Sequence, residues 1–475
     1  MEIRQVEELI FSHFPYIPTE GQRILILALA EYILNSKQQD IFLFKGYAGT
    51  GKTTILSALV KSAPALNRDA VLLAPTGRAA KVLASYSGRQ AFTIHKKIYQ
   101  PRGKSDGTVL LYRLPNFHKN TLFIVDEASM ISGGRNANNH HFQVEADLLT
   151  DLVEYVNSGK DCRLILIGDT AQLPPVGISL SPAMDAAYLK SAFGFLVRTL
   201  ELKEVMRQSF ESGILANATL LREKLDSGNL NLPLFNIRGY KDIRLIGSGL
   251  LEEALFLAHA GDAENKAIVI TRSNKRANIY NREIRNRILF REEELSAGDM
   301  MMVVKNNYFW LPPESPAGFI ANGELIEIRK IKRITEMYSF RFADAIISMI
   351  DYPEQPELEV KLLMDTIMSE NPSLSFVENQ RLFDEVMKDY EDIRTRSRRV
   401  EKVKSNPWFN ALQVKFAYSL TCHKTQGGQW ETIFIDQPWL KDDKIDPEFL
   451  QWLYTAITRA TQQVYLINFK DEFFG

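Results

Sequence analysis

Residues 41–54 read IFLFKGYAGTGKTT, an apolar run leading straight into Gly46-x-x-x-x-Gly51-Lys52-Thr53. A strand that ends in such a glycine-rich loop and continues as a helix presents a row of backbone N–H groups to one point, where they can wrap a phosphate. TTILSALVKSA, which follows, is a good helix former. The stretch therefore commits the chain to a parallel α/β unit with a nucleoside triphosphate site at the carboxyl edge of its sheet. Gly46, Ala48, Gly49, Thr50, Gly51 and Thr54 form the cradle. Lys52 reaches the β- and γ-phosphates, and Thr53 offers its hydroxyl to Mg²⁺.

Further apolar runs repeat the theme: AVLLAP at 70–75, TLFIVDE at 121–127, RLILIGD at 163–169, AIVITR at 267–272 and TIFID at 432–436. Buried, β-branched strands alternating with helical patterns predict parallel sheets covered on both faces. The first four runs are expected in one sheet and the last two in a second. Between the last two lies a stretch of different character, 291–404, with short strands such as NGELIEIRKIKRI and ELEVKLL. It reads as an inserted β domain, closed by SFVENQRLFDEVMKDYEDIRTRSRRVEKVK as one long charged helix. Residues 99–120 read as a β-hairpin insertion, and GGRNANNHHFQ at 133–143 as a polar loop whose two histidines face solvent.

Composition narrows the rest. The chain has 475 residues, 45% hydrophobic and 24% charged, which is ordinary for two to four globular domains. Its net charge of −1 means that any grip on nucleic acid must come from a local groove and not from a basic surface. The N-terminus MEIRQVEELIF is charged where a signal peptide would be apolar, and ILILALA is too short to span a bilayer, so a soluble, cytoplasmic protein is expected. Cys162 and Cys422 lack CxxC spacing, which argues against a disulfide framework and against a zinc site.

Asp126 and Glu127 end an apolar strand and place two carboxylates at the sheet edge beside the glycine loop. Asp126 is suited to hold Mg²⁺ and Glu127 to polarise the water that attacks the γ-phosphate. Gln172, on a loop stiffened by Pro174 and Pro175, sits at the same edge, placed to report on that phosphate. Hydrolysis also needs cationic donors, for which Arg207 in LKEVMRQ and Arg459 in LYTAITRA stand out by context, although each alone reads equally as a surface ion-pair residue.

FKGYAGTGKTT, LLAPTGRAAKVL, FIVDEAS, LIGDTAQLPPV, LKEVMRQ, SLTCHKTQGGQW and LYTAITRA occur in the order of the motifs of superfamily 1 helicases, and the wording resembles the RecD-like branch. The resemblance covers nearly the whole chain, from Thr19-x-x-Gln22 onward. It implies two RecA-like domains closing on one ATP, an SH3-like inserted domain at 291–404, and movement 5′ to 3′ along single-stranded DNA. The first domain would run to 205, with its hairpin at about 96–120; the second would comprise 206–290 and 405–475. By the same resemblance Gln22 reads adenine, Gly427 borders the nucleotide, Gln172 links ATP to DNA, and Arg207 and Arg459 are arginine fingers. Pro75, Thr76, Thr93, His95, Thr421, His423, Lys424 and Gln426 match strand-contacting positions, whose small polar groups suit binding without sequence readout. One departure is Gln429, where many relatives carry glutamate.

Aromatics for base stacking are open among Tyr99, Tyr112, Phe117, Phe309, Trp310, Trp408 and Trp430, each of which also reads as a core residue. Arg394, Arg396, Arg398 and Arg399 read as a solvated helix face or as a phosphate contact. Single-stranded DNA, its junctions with duplex, and proteins of replication and repair are the implied partners. Two alternatives stay open: an RNA helicase of the same superfamily, and an ATP switch that does not unwind. No nuclease-type acidic cluster stands outside the ATP site, so cleavage is not expected.

Overall fold

The computed structural model describes residues 1–474, apart from 104–108, 134–146, 205–210, 260–265, 313–314, 316 and 439–444. Its first sheet has six parallel strands, in spatial order Ala91–Thr93, Asp69–Ala74, Thr121–Val125, Arg163–Gly168, Ile41–Gly46 and Val197–Leu202. Strand alternation splits the apolar runs between two cores. Phe42, Phe44, Ile124 and Ile167 face the helices Ile3–Ser12, Glu20–Asn35 and Lys52–Ser62. Ile41, Leu43, Phe123 and Leu166 face the helices Leu148–Ser158 and Ala186–Phe193. Burying each such side chain is worth about 1.5–3 kcal/mol, which is why both faces must be covered.

The second sheet is also parallel, in the order Ser419–Thr421, Ala267–Thr271, Trp430–Asp436, Ala460–Ile467 and Ile243–Ile246. The four strongest early runs do share the first sheet and the last two the second. The remaining strands are short or partly polar, as in VRTLEL at the first sheet's edge or the ATQQ that opens Ala460–Ile467.

The insertion forms a closed five-stranded barrel of Met300–Val303, Leu325–Met337, Phe340–Met349, Leu358–Leu363 and Leu412–Phe416. Its fifth strand lies beyond residue 404, where the expected insertion ends. The two longest strands join through Tyr338 and Ser339, both with positive φ, a two-residue turn without the usual asparagine or glycine. Against expectation, the charged stretch 375–404 is two helices, Phe376–Lys388 and Arg396–Lys404. The break is held by Arg399, which donates to the carbonyls of Glu391 and Ile393 and so satisfies groups a continuous helix would have paired internally.

The hairpin pairs Tyr99–Gly103 with Val109–Arg113 in antiparallel register, and its tip lies outside the described residues. So do His140 and His141 of the polar loop. Both cysteines are buried free thiols. Among the described residues, no helix is long and apolar enough to cross a membrane.

Candidate nucleotide site and nucleic-acid face

Three adjacent strands of the first sheet, spaced about 4.8 Å apart, bring the chemistry to one edge. Ile41–Gly46 carries the glycine loop, Arg163–Gly168 carries Asp169 and Gln172, and Thr121–Val125 carries Asp126 and Glu127. Gly49 and Gly51 have φ of 75° and 87°, the left-handed region in which a side chain is strained. Gly46 is required for a different reason: a Cβ there would lie 2.9 Å from Cγ of Lys52. Lys52 folds over the loop, donating to the carbonyls of Gly46 at 2.6 Å and Tyr47 at 2.8 Å, with its Nζ 3.8 Å from Asp169.

These groups open onto a cavity of about 420 Å³ between the two sheets. From the first side, Ala48, Gly49, Gly51, Lys52, Thr53, Thr54, Asp126, Glu127 and Gln172 line it; from the second come Gly427, Gln429 and Arg459. Gly46 and Thr50 stand behind the wall, Thr50 buried with its hydroxyl on the carbonyl of Tyr47 at 2.7 Å. Gln22 is also behind it. Its amide donates to the Thr50 carbonyl at 3.0 Å and accepts from the Thr19 N–H at 2.9 Å, tying helix Glu20–Asn35 to the loop.

Glu127 adopts φ of 53°, rare for a glutamate, and its N–H donates to Asp126 Oδ1 at 2.9 Å. The other oxygen of Asp126 accepts from the Tyr86 hydroxyl. Burial drives the Glu127 carboxyl above its ordinary pKa, the nearby Arg459 pulls it back, and Asp126 raises it again. Arg459 approaches Glu127 to 3.8 Å and is itself buried, its guanidinium donating to the carbonyls of Thr455 at 3.2 Å and Gly428 at 3.4 Å. Gln172 is buried with its side-chain oxygen unpartnered beside the same cavity. Arg207 lies outside the described residues. Thr53 and Asp126 offer hard oxygen donors on one cavity wall, and Asp126 keeps lone pairs beyond its two hydrogen bonds, a set that fits Mg²⁺.

The positions expected to touch a strand divide. The Thr76 hydroxyl caps helix Gly77–Ser87 by accepting from the Ala79 N–H at 3.2 Å, and Thr93 accepts from that of Lys96 at 3.1 Å. Pro75, Thr421, His423 and Lys424 are partly buried. Burial lowers the pKa of His95 to about 4 and that of Lys424 to about 8, so at neutral pH the first is an uncharged group. Gln426 departs from the expectation: it is buried, and its amide donates to the carbonyl of Leu173 at 2.6 Å, joining the two sheets.

Most of the aromatic candidates serve packing. Tyr99 is buried with its hydroxyl on Asp151 at 2.6 Å, Trp310 donates to the carbonyl of Asn410 at 2.7 Å, and Phe309 packs edge-on against Trp310. Trp408 lies under Lys361, and Trp430 under the guanidinium of Arg78 at 3.7 Å. Tyr112 and Phe117 are exposed, the latter at 84%. Arg394, Arg396 and Arg398 are exposed as well.

Sequence reasoning passed over four residues here: Tyr86, Arg78, Tyr454 and Glu324. Tyr454 stands inside LYTAITRA, five residues before Arg459, and that shared motif was the available signal. Glu324, on the barrel, is buried with one carboxylate oxygen unpartnered, close against Gly77. No local pattern marks it or Tyr86.

Residues 20–231 match the model of an AAA domain, and residues 416–467 that of a UvrD-like helicase C-terminal domain. The chain is 24% identical to the ATP-dependent DNA helicase dda of Enterobacteria phage T4, over 94% of this chain and 99% of that one. It is 32% identical to the ATP-dependent RecD2 DNA helicase of Deinococcus radiodurans, over 42% of this chain and 24% of the larger protein. Among solved structures, the Pif1 helicase from Bacteroides is 14% identical, covering 97% of this chain and 95% of that one with a TM-score of 0.47.

Proposed function

We propose that this chain, which belongs to the RecD-like branch of the superfamily 1 helicases, is an ATP-driven motor that moves 5′ to 3′ along single-stranded DNA and parts duplex ahead of it. One observation carries the reading: Glu127 from the first sheet and Arg459 from the second face each other at 3.8 Å across the cavity that holds the glycine loop. A site whose acid and cation come from different domains is complete only while the domains are closed. Hydrolysis and domain movement are thereby one event.

The loop amides and Lys52 bind the β- and γ-phosphates. Glu127 accepts a hydrogen bond from the attacking water, whose oxygen bonds to the γ-phosphorus as the bond to the bridging oxygen breaks. Arg459 meets the charge that develops, a role that Arg207 shares by the helicase resemblance, and Gln172, whose unpartnered side-chain oxygen is an acceptor for a water on the γ-phosphate, would sense that phosphate. Thr53 and Asp126 would hold Mg²⁺, which when bound neutralises charge on the phosphate oxygens.

On the strand side, Pro75, Thr76, Thr93 and His95 of the first domain and Thr421, His423 and Lys424 of the second would hold backbone and sugar. Alternate closure and opening then moves one set past the other. The hairpin is anchored where a separator needs to be rigid: Tyr99 bonds Asp151 at 2.6 Å and Arg113 lies 3.4 Å from the same carboxylate. Work on DNA in the cytoplasm, alongside replication and repair proteins, follows from this reading.

ATPase measurements with single-stranded DNA and with RNA of the same sequence test it. DNA is expected to stimulate turnover strongly and RNA weakly. Equal or greater stimulation by RNA would reassign the substrate, and no stimulation by either would remove the motor.

A further inference from the structure

Helix Pro447–Ile457 ends two residues before Arg459, and a residue on it also reaches the phosphate site. Tyr454 is 1% exposed, and its hydroxyl does two things at once. It accepts the backbone N–H of Ala48, in the glycine loop, at 2.8 Å. It also donates to Oδ2 of Asp169 at 2.7 Å. Asp169 is equally buried; its other oxygen accepts from the Ala171 N–H at 3.0 Å, and Oδ2 lies 3.8 Å from Nζ of Lys52. A single hydroxyl from the second domain is thus joined to the loop, to the acid of the neighbouring strand and, one step further, to the lysine.

Two contacts beside it hold the same loop. Thr455 accepts the N–H of Leu173 at 2.8 Å, and Gln426 donates to the carbonyl of Leu173 at 2.6 Å. The 169–173 turn is clamped at both ends while Gln172, inside it, keeps its amide oxygen unpartnered. Burial and the Asp169 carboxylate push the tyrosine's ionisation far above its ordinary range, so the group remains a neutral donor and acceptor at any working pH. It does not transfer protons. What it can do is fix distance.

Arg459 follows in the turn just past that helix, its backbone N–H on the carbonyl of Ala456 at 3.2 Å and its guanidinium on that of Thr455 at 3.2 Å, so wherever the tyrosine pins the helix end, the guanidinium is placed. We infer that Tyr454 is a positioning residue of the ATP site: its hydroxyl registers helix Pro447–Ile457 against the glycine loop and Asp169, and so sets how Arg459 meets Glu127. The inference rests on the reading of Arg459 as a finger. A finger displaced by about 1 Å can cost about 10²-fold in rate, and that sensitivity gives the pin its importance.

Tyr454→Phe tests it, since phenylalanine fills the same space and removes one oxygen. DNA-stimulated kcat is expected to fall by about 10- to 100-fold, with KM for ATP within about threefold of wild type. Single-turnover hydrolysis in an Arg459→Ala background supplies the second readout. There the further loss from Tyr454→Phe is expected to be less than about twofold, because a residue that acts through Arg459 has nothing left to position. A kcat within twofold of wild type in the single variant, or the same fold-loss in both backgrounds, would overturn the inference. Lys52→Ala run in parallel separates the two failures. If it hydrolyses like wild type, the ATP site itself is misassigned; if it is dead while Tyr454→Phe is normal, only the positioning role falls.

Discussion

Arg459→Ala removes a buried cation that stands 3.8 Å from Glu127 across the domain cleft. A guanidinium about 4 Å from the charge that develops on the phosphate, in a medium of effective dielectric about 20, stabilises it by about 4 kcal/mol. At 1.36 kcal/mol per tenfold, that is about 10³ in kcat, at the lower edge of the range for arginine fingers. A second signature comes from Glu127, whose pKa is raised by burial and by Asp126 and held down by Arg459. Without the arginine the carboxyl titrates higher still. The acid limb of the kcat profile, below which Glu127 is protonated and unable to polarise water, should therefore move to higher pH. The assay is steady-state ATP hydrolysis at saturating single-stranded DNA from pH 5 to 9. Because the guanidinium also donates to Thr455 and Gly428, Arg459→Lys is measured beside it, and should recover part of the rate by restoring charge without the fork. A kcat within tenfold of wild type and an unmoved acid limb would refute the reasoning.

Glu127→Gln should bind ATP as wild type does and lose turnover by at least about 10²-fold, because Asp126 and the loop remain while the water's acceptor is gone; equilibrium nucleotide binding beside hydrolysis checks it, and loss of affinity would mean the two acids are misassigned. Replacing 103–109 by a short Gly/Ser link leaves the Tyr99 and Arg113 anchors on Asp151 in place. DNA-stimulated ATPase should stay within a few fold while strand separation falls severely, since each base-pair step costs about 1.4 kcal/mol to open; wild-type unwinding would move the separator elsewhere. Glu324→Gln tests the buried barrel carboxyl, whose folded pKa lies well above its unfolded value through burial. An acid raised on folding contributes stability below its unfolded pKa and loses it as pH climbs through the folded one. The variant's thermal midpoint should accordingly exceed wild type by about 1–3 °C at pH 8 and match it near pH 4.5, and a gap of the opposite pH dependence would contradict the assignment.

The first sheet was legible because its strands are buried on both faces and stop at residues that carry chemistry. Ile41–Gly46 ends in the loop, Thr121–Val125 in Asp126 and Glu127, and Arg163–Gly168 in Asp169. Edge strands lack that signature: VRTLEL mixes apolar and charged residues and depends on Ile41–Gly46 for its place. The long charged helix misled because its periodicity continues through 389–395, whereas the break is made by a tertiary choice, Arg399 turned back on Glu391 and Ile393. Within the site, roles that depend on the second domain were hidden for the same reason. Gln426 and Tyr454 act through partners more than two hundred residues away in sequence, Leu173 and Asp169, and no local spacing encodes that contact.

Strand separation of two matched duplexes, one with a 5′ and one with a 3′ single-stranded tail, bears most directly on whether ATP use between these sheets becomes directed work on DNA. With ATP and Mg²⁺ the protein should unwind the 5′-tailed duplex, leave the 3′-tailed one paired, and do neither when Lys52 is replaced by alanine. Unwinding only from the 3′ tail would reverse the proposed direction. Equal unwinding by the Lys52→Ala protein, or none by wild type on either duplex, would contradict the motor itself.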